Sequence, residues 1–301
     1  KDLGRFNQSI LSYTEAIRLK SDFGEAHYNL GLLFMSSGSY QDAVKQFELT
    51  SFKNSKSYLL RCLYSLNEKD RFIDLLDRFI SDGHIDPLIG SLGCRSALRY
   101  GIERPNLFCK DPIEYVWQTD LKRQCDFHKT FVKTATAIIH NSKNPKGRQP
   151  LLTNGFQTHG NLFDLQDDIT KKIQEIIHLE IEKYRNFFKE SEEGLIKRWP
   201  SDYSLYGWLI SMKSGGELSP HMHEKGWLSG SIYVNVPGKT KADSGNLVVC
   251  IEEAHTPLNK EKSIDVHTGD LCLFPASLLH YTVPFKSEEE RIVLAFDVVP
   301  K

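Results

Sequence analysis

Several features that would announce a function at a glance are missing from this chain. It has no charge imbalance: 38 Lys and Arg against 39 Asp and Glu leave a formal net charge of −1. A bulk electrostatic pull toward nucleic acid or an anionic membrane is therefore not indicated, and neither is expected as a partner. No apolar run approaches the roughly 18 residues that a bilayer crossing requires, so no membrane-spanning segment is expected. Cysteine is sparse and unpatterned, with six residues at 62, 94, 109, 125, 250 and 272 and no CxxC pair. Reduced, mostly buried thiols and a cytoplasmic setting follow. Lys1 falls inside a repeat, which leaves room for a targeting segment upstream. The one local basic cluster, Lys143 to Arg148, contains Asn144-Pro145 and Lys146-Gly147 and reads as a solvated turn.

At 301 residues the chain exceeds one average domain, and its halves are patterned differently. The first 80 residues repeat with a period of 34: Gly4, Phe6, Ser9 and Tyr13 recur as Gly38, Tyr40, Ala43 and Phe47. Asn29-Leu30-Gly31 supplies a small residue between them. A third copy, Phe72, Leu75 and Phe79, keeps the spacing of Tyr40, Ala43 and Phe47. This resembles the tetratricopeptide repeat, in which paired helices interlock small and aromatic residues. Ala16 matches that family's small position, Thr50 departs from it, and Ser21 and Ser55 stand near the place of its usual proline. Such arrays commonly present a concave surface to a peptide. The alternative is that these helices only pack on the next domain.

Residues 81–130 contain Asp86-Pro87, Arg104-Pro105 and Asp111-Pro112, which predict short helices and loops joining the domains. From 131 the pattern changes. Phe131–Ile139 alternates and is rich in Val, Thr and Ile, predicting a strand. Leu165–Phe188 carries Ile169, Ile173, Ile176, Ile177, Ile181 and Tyr184 at helical spacing. Beyond Pro200 come six short strand-like runs: Tyr203–Met212, Trp227–Val236, Asn246–Glu252, Asp270–Phe274, His280–Val283 and Arg291–Val299. The expected fold is α+β, a helical repeat followed by a jelly-roll double-stranded β-helix with a supporting helix. The expected divisions are 1–80, 81–130 and 131–301.

One constellation carries chemistry. His221-Met222-His223 places two histidines at i and i+2, which share a face in a strand. His280 follows 57 residues later, after the run Gly269 to Pro275, and Arg291 comes 11 residues beyond His280. Nitrogen and oxygen ligands on one face of iron(II) leave positions for a bidentate keto acid and dioxygen. The Arg291 guanidinium suits the far carboxylate of that keto acid, because it binds a carboxylate as a fixed fork. An HxH triplet alone is a weak signal; the flanking Gly215-Gly216, the Gly-Asp-Leu-Cys-Leu-Phe-Pro run, the third histidine and the arginine make it specific.

Residues 200–300 resemble the 2-oxoglutarate and iron(II)-dependent oxygenases, and within them a bacterial group often fused to tetratricopeptide repeats. The resemblance rests on Ser219 to His223, Trp227 to Val234, Gly269 to Pro275, His280 and Arg291 to Phe296, with Gln157 to Phe163 as a further motif. The layout is also similar to aspartyl/asparaginyl β-hydroxylases, which likewise join a repeat domain to this catalytic fold. The resemblance implies a dioxygenase with Fe(II) and 2-oxoglutarate, held by His221, His223 and His280 and by Arg291. The superfamily's usual triad is His-x-Asp/Glu…His, and here His223 occupies the acidic position. Three completions stand open: His223 itself, Glu224 swinging in, or water. Ser229 and Ser231 share parity with the histidines and either contact the cosubstrate or permit close sheet packing, while Tyr233 reads as core. Gln157 and Trp208 are candidates for the substrate side; His159, His255 and His267 read as surface or structural. The implied partner is a protein or peptide substrate. Two rival readings are a non-catalytic, repeat-based interaction protein and a cupin-like metalloenzyme with three histidines and no keto acid.

Overall fold

The structure, a computed structural model, describes residues 2–141, 145–147, 149–165, 167–252 and 260–301, with side chains from residue 6 onward. His255 and part of the basic turn at 143–148 lie outside the described residues. Two compact units divide the chain, Lys1–Asn106 and Leu107–Lys301.

The first unit is six helices: α1 (Asp2–Leu19), α2 (Gly24–Ser36), α3 (Tyr40–Glu48), α4 (Ser55–Ser65), α5 (Lys69–Ser81) and α6 (Pro87–Tyr100). The repeat positions explain how they pack. Ala43 and Phe47 of α3 are fully buried, and a Cβ on Gly31 of α2 would lie 2.6 Å from the Phe47 ring. Only a residue without a side chain lets that ring sit against the α2 backbone. Tyr58 of α4 then stacks on Phe47 with ring centroids 5.8 Å apart. The third copy buries Phe72, Leu76 and Phe79, so Leu76 rather than Leu75 turns inward. Thr50, the departure from the repeat pattern, closes α3: its hydroxyl donates to the Gly24 carbonyl (3.0 Å) and accepts from the Phe52 N–H (3.0 Å).

The prolines of the 81–130 segment do not act uniformly as breakers. Pro87 opens the 14-residue α6, since its fixed φ suits a first helical turn and its missing N–H has no partner to lose there. Asp86 caps that turn, accepting from Leu88 N and Ile89 N at 2.8 and 3.0 Å. Gly101, at φ 65°, ends the helix in the left-handed conformation.

The second unit contains ten strands among the described residues, in one curled sheet: β1 (Trp117–Asp120), β2 (Lys146–Gly147), β3 (Leu152–Thr158), β4 (Tyr203–His221), β5 (Leu228–Asn235), β6 (Leu247–Cys250), β7 (Glu261–Ile264), β8 (Asp270–Pro275), β9 (Leu279–Thr282) and β10 (Arg291–Pro300). The order is β1-β8-β5-β10-β4-β9-β6-β7, with β3 on β4 and β2 on β3, all antiparallel. This is the jelly-roll arrangement expected of the second half. β4 is the hinge of the curl. Its first half pairs with β10 through Met212; its last residues pair with β9 at Leu218 and His221. Gly215, at φ 74°, and a register break before His221 let one strand serve both walls.

One expectation is corrected. Residues 131–139 are helical: a π-turn at His128–Val132 runs into α7 (Lys133–His140). Phe131, Ala135 and Ile139 are the buried positions, four apart, and this helical stripe outweighs the β-branched alternation. The supporting helix α8 (Asp168–Phe187) buries Ile173, Ile177, Ile181 and Tyr184 on one face and is capped by Asp167, which accepts from Thr170 N at 2.7 Å. Phe187 at its end meets Trp117 of β1, ring centroids 4.8 Å apart. Of the six cysteines, Cys62, Cys109, Cys250 and Cys272 are buried and Cys94 and Cys125 half-buried. Among the described residues no helix is long and apolar enough to cross a membrane.

The packing of Phe47 on Gly31 predicts the effect of Gly31→Ala. Overpacking costs about 1–3 kcal/mol, and the better helix propensity of alanine returns up to about 1 kcal/mol. A net loss of about 1–2 kcal/mol is expected in chemical denaturation followed by far-ultraviolet circular dichroism. Unchanged stability would show that the ring contact does not constrain the pair of helices.

Candidate metal centre and cosubstrate pocket

The period of two along three paired strands builds the cleft. Trp208, Ile210 and Met212 of β4 stand opposite Ala295, Val293 and Arg291 of β10. On the other side of β10, Ala295 faces Ser231 and Val293 faces Tyr233 of β5. These residues line one cleft together with His221, His223, His280, Phe274, Gln149 and Gln157. Side chains at alternate positions share a face, so one face of each strand is committed to the cleft.

The two outer histidine positions meet across a ladder, His221 of β4 opposite His280 of β9. β4 ends at His221, and His223 lies just beyond it, before a turn closed by Gly226 N donating to His223 O at 3.0 Å. The three imidazoles nonetheless converge, with ring centroids 4.3 Å (His221–His280), 4.8 Å (His223–His280) and 5.1 Å (His221–His223) apart. Among the described residues, the group of His, Cys, Asp or Glu whose ligand atoms could gather on one ion is His221, His223 and His280, all within 4.8 Å of one another. Glu224 is not in that group.

The protonation pattern of this cluster is set by its partners. His221 Nδ1 lies 2.9 Å from the Ser219 carbonyl, and His223 Nδ1 lies 2.8 Å from an Asp297 carboxylate oxygen. Both partners can only accept, so both Nδ1 atoms carry the hydrogen and both Nε2 atoms present lone pairs. Those two Nε2 atoms face each other at 3.2 Å. Two lone pairs at that distance repel unless a proton or a metal ion stands with them. Burial pushes the His221 pKa down to about 4, helped by the neighbouring His223. Burial likewise holds His280 well below its ordinary value, with His221 and His223 adding to the effect. Protonation is thus disfavoured, and neutral imidazole is the metal-binding form. The donor set fits a metal ion.

Arg291 stands at the other end of the cleft. It is 1% exposed, and its Nε and Nη1 are buried without a hydrogen-bond partner. Among the described residues no carboxylate pairs with it. Its guanidinium packs 5.1 Å from the Tyr233 ring centroid. Gly245, at φ 72°, makes room for it: a Cβ there would lie 3.1 Å from Nη1. A buried cation with unsatisfied N–H groups is costly, and an anionic ligand is what removes that cost. A dicarboxylate fits this end.

Of the other residues singled out from the sequence, Ser231, Gln157 and Trp208 line the cleft, and the Trp208 and His223 ring centroids lie 5.2 Å apart in a T-shaped arrangement. Ser229 lines it too, but its hydroxyl donates to Asp297 at 2.8 Å, so its proton is committed within the protein. Tyr233, read as core, is buried and on the same face. His267 is a surface residue beside Asp265 and Asp270. Sequence reading missed Asp297 and Gln149. Asp297 had a signal, since it is six residues after Arg291 on the same strand and therefore shares its face. Gln149, whose Oε1 is buried and unpartnered, lies in an irregular stretch where no periodicity points to it.

Residues 206–297 match the family model described as "Putative 2OG-Fe(II) oxygenase", and residues 1–38 match one described as "TPR repeat". No curated protein matches the sequence. Among solved structures, a prolyl-4-hydroxylase from Pseudomonas putida aligns at a TM-score of 0.44 and 12% identity over 62% of this chain and 92% of that one. A prolyl hydroxylase from Trichoplax adhaerens, in complex with a hypoxia inducible factor peptide, aligns at 0.43 and 11%, covering 68% and 91%. HygX from Streptomyces hygroscopicus, with nickel, 2-oxoglutarate and hygromycin B, aligns at 0.41 and 9%, covering 64% and 88%. The chain thus joins a tetratricopeptide repeat to a 2-oxoglutarate and iron(II)-dependent oxygenase domain. The protein is an oxygenase, and its cofactors are Fe(II) and 2-oxoglutarate.

The depressed histidine pKa values predict a pH dependence of the metal-free protein. The unfolded chain takes up these protons near the ordinary pKa of 6.5, whereas folded His221 does so only near 4 and His280 only well below its ordinary value. The unfolded state therefore binds more protons in between, and stability rises with pH across that window. The melting temperature of metal-free protein should be level above about 6.5 and fall toward pH 4, and His280→Gln should remove about one proton's worth of the slope. An equal slope in that variant would contradict the assignment.

Proposed function

We propose that the protein hydroxylates a protein or peptide side chain, with the metal held by His221, His223 and His280 and the far carboxylate of 2-oxoglutarate held by Arg291. The observation that carries this reading is the pairing of two opposite needs in one cleft. Neutral imidazole lone pairs need a cation at one end, and a buried guanidinium needs an anion at the other. Iron(II) and 2-oxoglutarate, when bound, supply an oxidant that inserts one oxygen atom of dioxygen into a C–H bond while the keto acid leaves as succinate and carbon dioxide.

The chain's own residues have four tasks. The histidines hold the metal on one face and leave the rest of its coordination open. Arg291 binds and orients the cosubstrate, its position fixed by the Tyr233 ring and by the space over Gly245. Ile210, Leu218, Phe274 and Val293 make the walls apolar and keep water out. Trp208, beside His223, and Gln157, opposite Ile210 in the ladder, orient the substrate. A polypeptide substrate is favoured by the repeat unit, because tetratricopeptide helices commonly bind peptides. Six sparse cysteines with no paired spacing suit a reducing compartment, and we place the protein in the cytoplasm.

Anaerobic addition of Fe(II) and 2-oxoglutarate to purified protein tests the site. A visible charge-transfer band from the iron-chelated keto acid is expected. In Arg291→Gln the band should need about 30-fold or more keto acid, from the 2–5 kcal/mol lost when one partner of a buried charged pair is removed. No band in folded, metal-loaded protein, or the same keto-acid affinity in the variant, would contradict the reading. With oxygen admitted, a peptide library should gain 16 mass units in a 2-oxoglutarate-dependent manner; turnover confined to small molecules would contradict the polypeptide substrate.

A further inference from the structure

The usual acidic ligand of such sites brings a negative charge to the metal, and His223 in its place brings none. If the three-histidine reading holds, as this inference requires, the loaded cleft has a charge problem. Iron(II) carries two positive charges and Arg291 one, while the doubly charged keto acid cancels only two. Among the described residues no carboxylate lines the cleft. A single uncompensated charge in a buried site is expensive.

Asp297 stands directly behind His223. Its Oδ1 accepts from His223 Nδ1 at 2.8 Å and from Ser229 Oγ at 2.8 Å. Its side chain is 10% exposed. Its place is built from three sides. β10 presents it on the same face as Arg291, β5 sets Ser229 opposite it in the ladder, and the bare Gly226 backbone admits it, since a Cβ there would lie 3.2 Å from its Cγ. The other two histidines lack such a partner: His221 donates to a carbonyl and His280 Nδ1 has none. The carboxylate is therefore specific to the ring that stands where an acid is usual.

We propose that Asp297 supplies, through the His223 ring, the negative charge that a carboxylate ligand ordinarily brings to the metal. The acid has moved one ring outward. Asp297 is a positioning residue: it fixes the ring's orientation, directs the Nε2 lone pair inward and makes that nitrogen a stronger donor. Strand β10 then holds both fixed charges of the site, the anion behind the metal end and the cation at the cosubstrate end.

The test is Co(II) affinity, followed by absorption titration against a competing chelator in metal-free protein. Asp297→Asn keeps an oxygen acceptor for Nδ1–H and removes the charge. It should weaken Co(II) binding by about 10–100-fold, with the melting temperature of the metal-free protein little changed. Adding His223→Asp to Asp297→Asn returns the carboxylate to the metal itself and should restore affinity to within about tenfold of wild type. A role confined to holding the ring in place predicts wild-type affinity in Asp297→Asn, whose amide oxygen still accepts from Nδ1–H. Wild-type affinity in Asp297→Asn, or a double variant no tighter than it, overturns the proposal. Should Asp297→Asn alone not fold, the double variant decides by the same tenfold criterion. Wild-type protein that binds no Co(II) at all would instead overturn the three-histidine reading beneath it.

Discussion

An arginine with no ion-pair partner among the described residues, inside a β-barrel-like cleft, is the constraint on which the rest of the second unit depends. Arg291 is almost wholly enclosed, and Tyr233 and Gly245 are arranged around it. Nothing in packing alone rewards such an arrangement. Burying a guanidinium costs several kcal/mol unless its donors are met, and two of its nitrogens are not met by the protein. An anion that the sheet does not itself contain would meet those donors, and we assign that place to the keto acid.

The opposite end repeats the logic with the sign reversed. Three imidazoles are crowded together, two of them with lone pairs facing at 3.2 Å, and burial disfavours the protonated forms of His221 and His280. A cation relieves both the repulsion and the desolvation. The two ends are coupled through β10, which carries Arg291 and Asp297 six residues apart on one face, and through β4, whose bend brings His221 to β9 while Trp208 to Met212 stay on β10. The curl of the sheet is thus what converts three stretches distant in sequence into one site.

How much of this could be read from residues alone differs by level. The strands β4, β5 and β10 were legible as short strand-like runs punctuated by Gly, Pro and Asp, although β5 and β10 are buried on both faces and carry no alternation; the helix at 168–187 was legible because Ile173, Ile177, Ile181 and Tyr184 mark its stripe. The α7 segment was not: β-branched residues in a short run satisfy both periods, and only the burial of Phe131, Ala135 and Ile139 decides between them. Pro87 was misleading because the same residue that ends one helix can begin another. The histidines and Arg291 announced themselves by spacing. Asp297 did not, because its role depends on which ring it reaches across the sheet, and a sequence does not carry that distance.

The central claim is that three imidazoles and no protein carboxylate bind the iron. X-ray absorption at the iron edge of the Fe(II) and 2-oxoglutarate complex, prepared without oxygen, tests it most directly. Three imidazole scattering shells, with the remaining oxygen shells accounted for by the keto acid and water, are predicted. Two imidazoles, with Glu224 or any other protein carboxylate or a water in the third protein position, would contradict it.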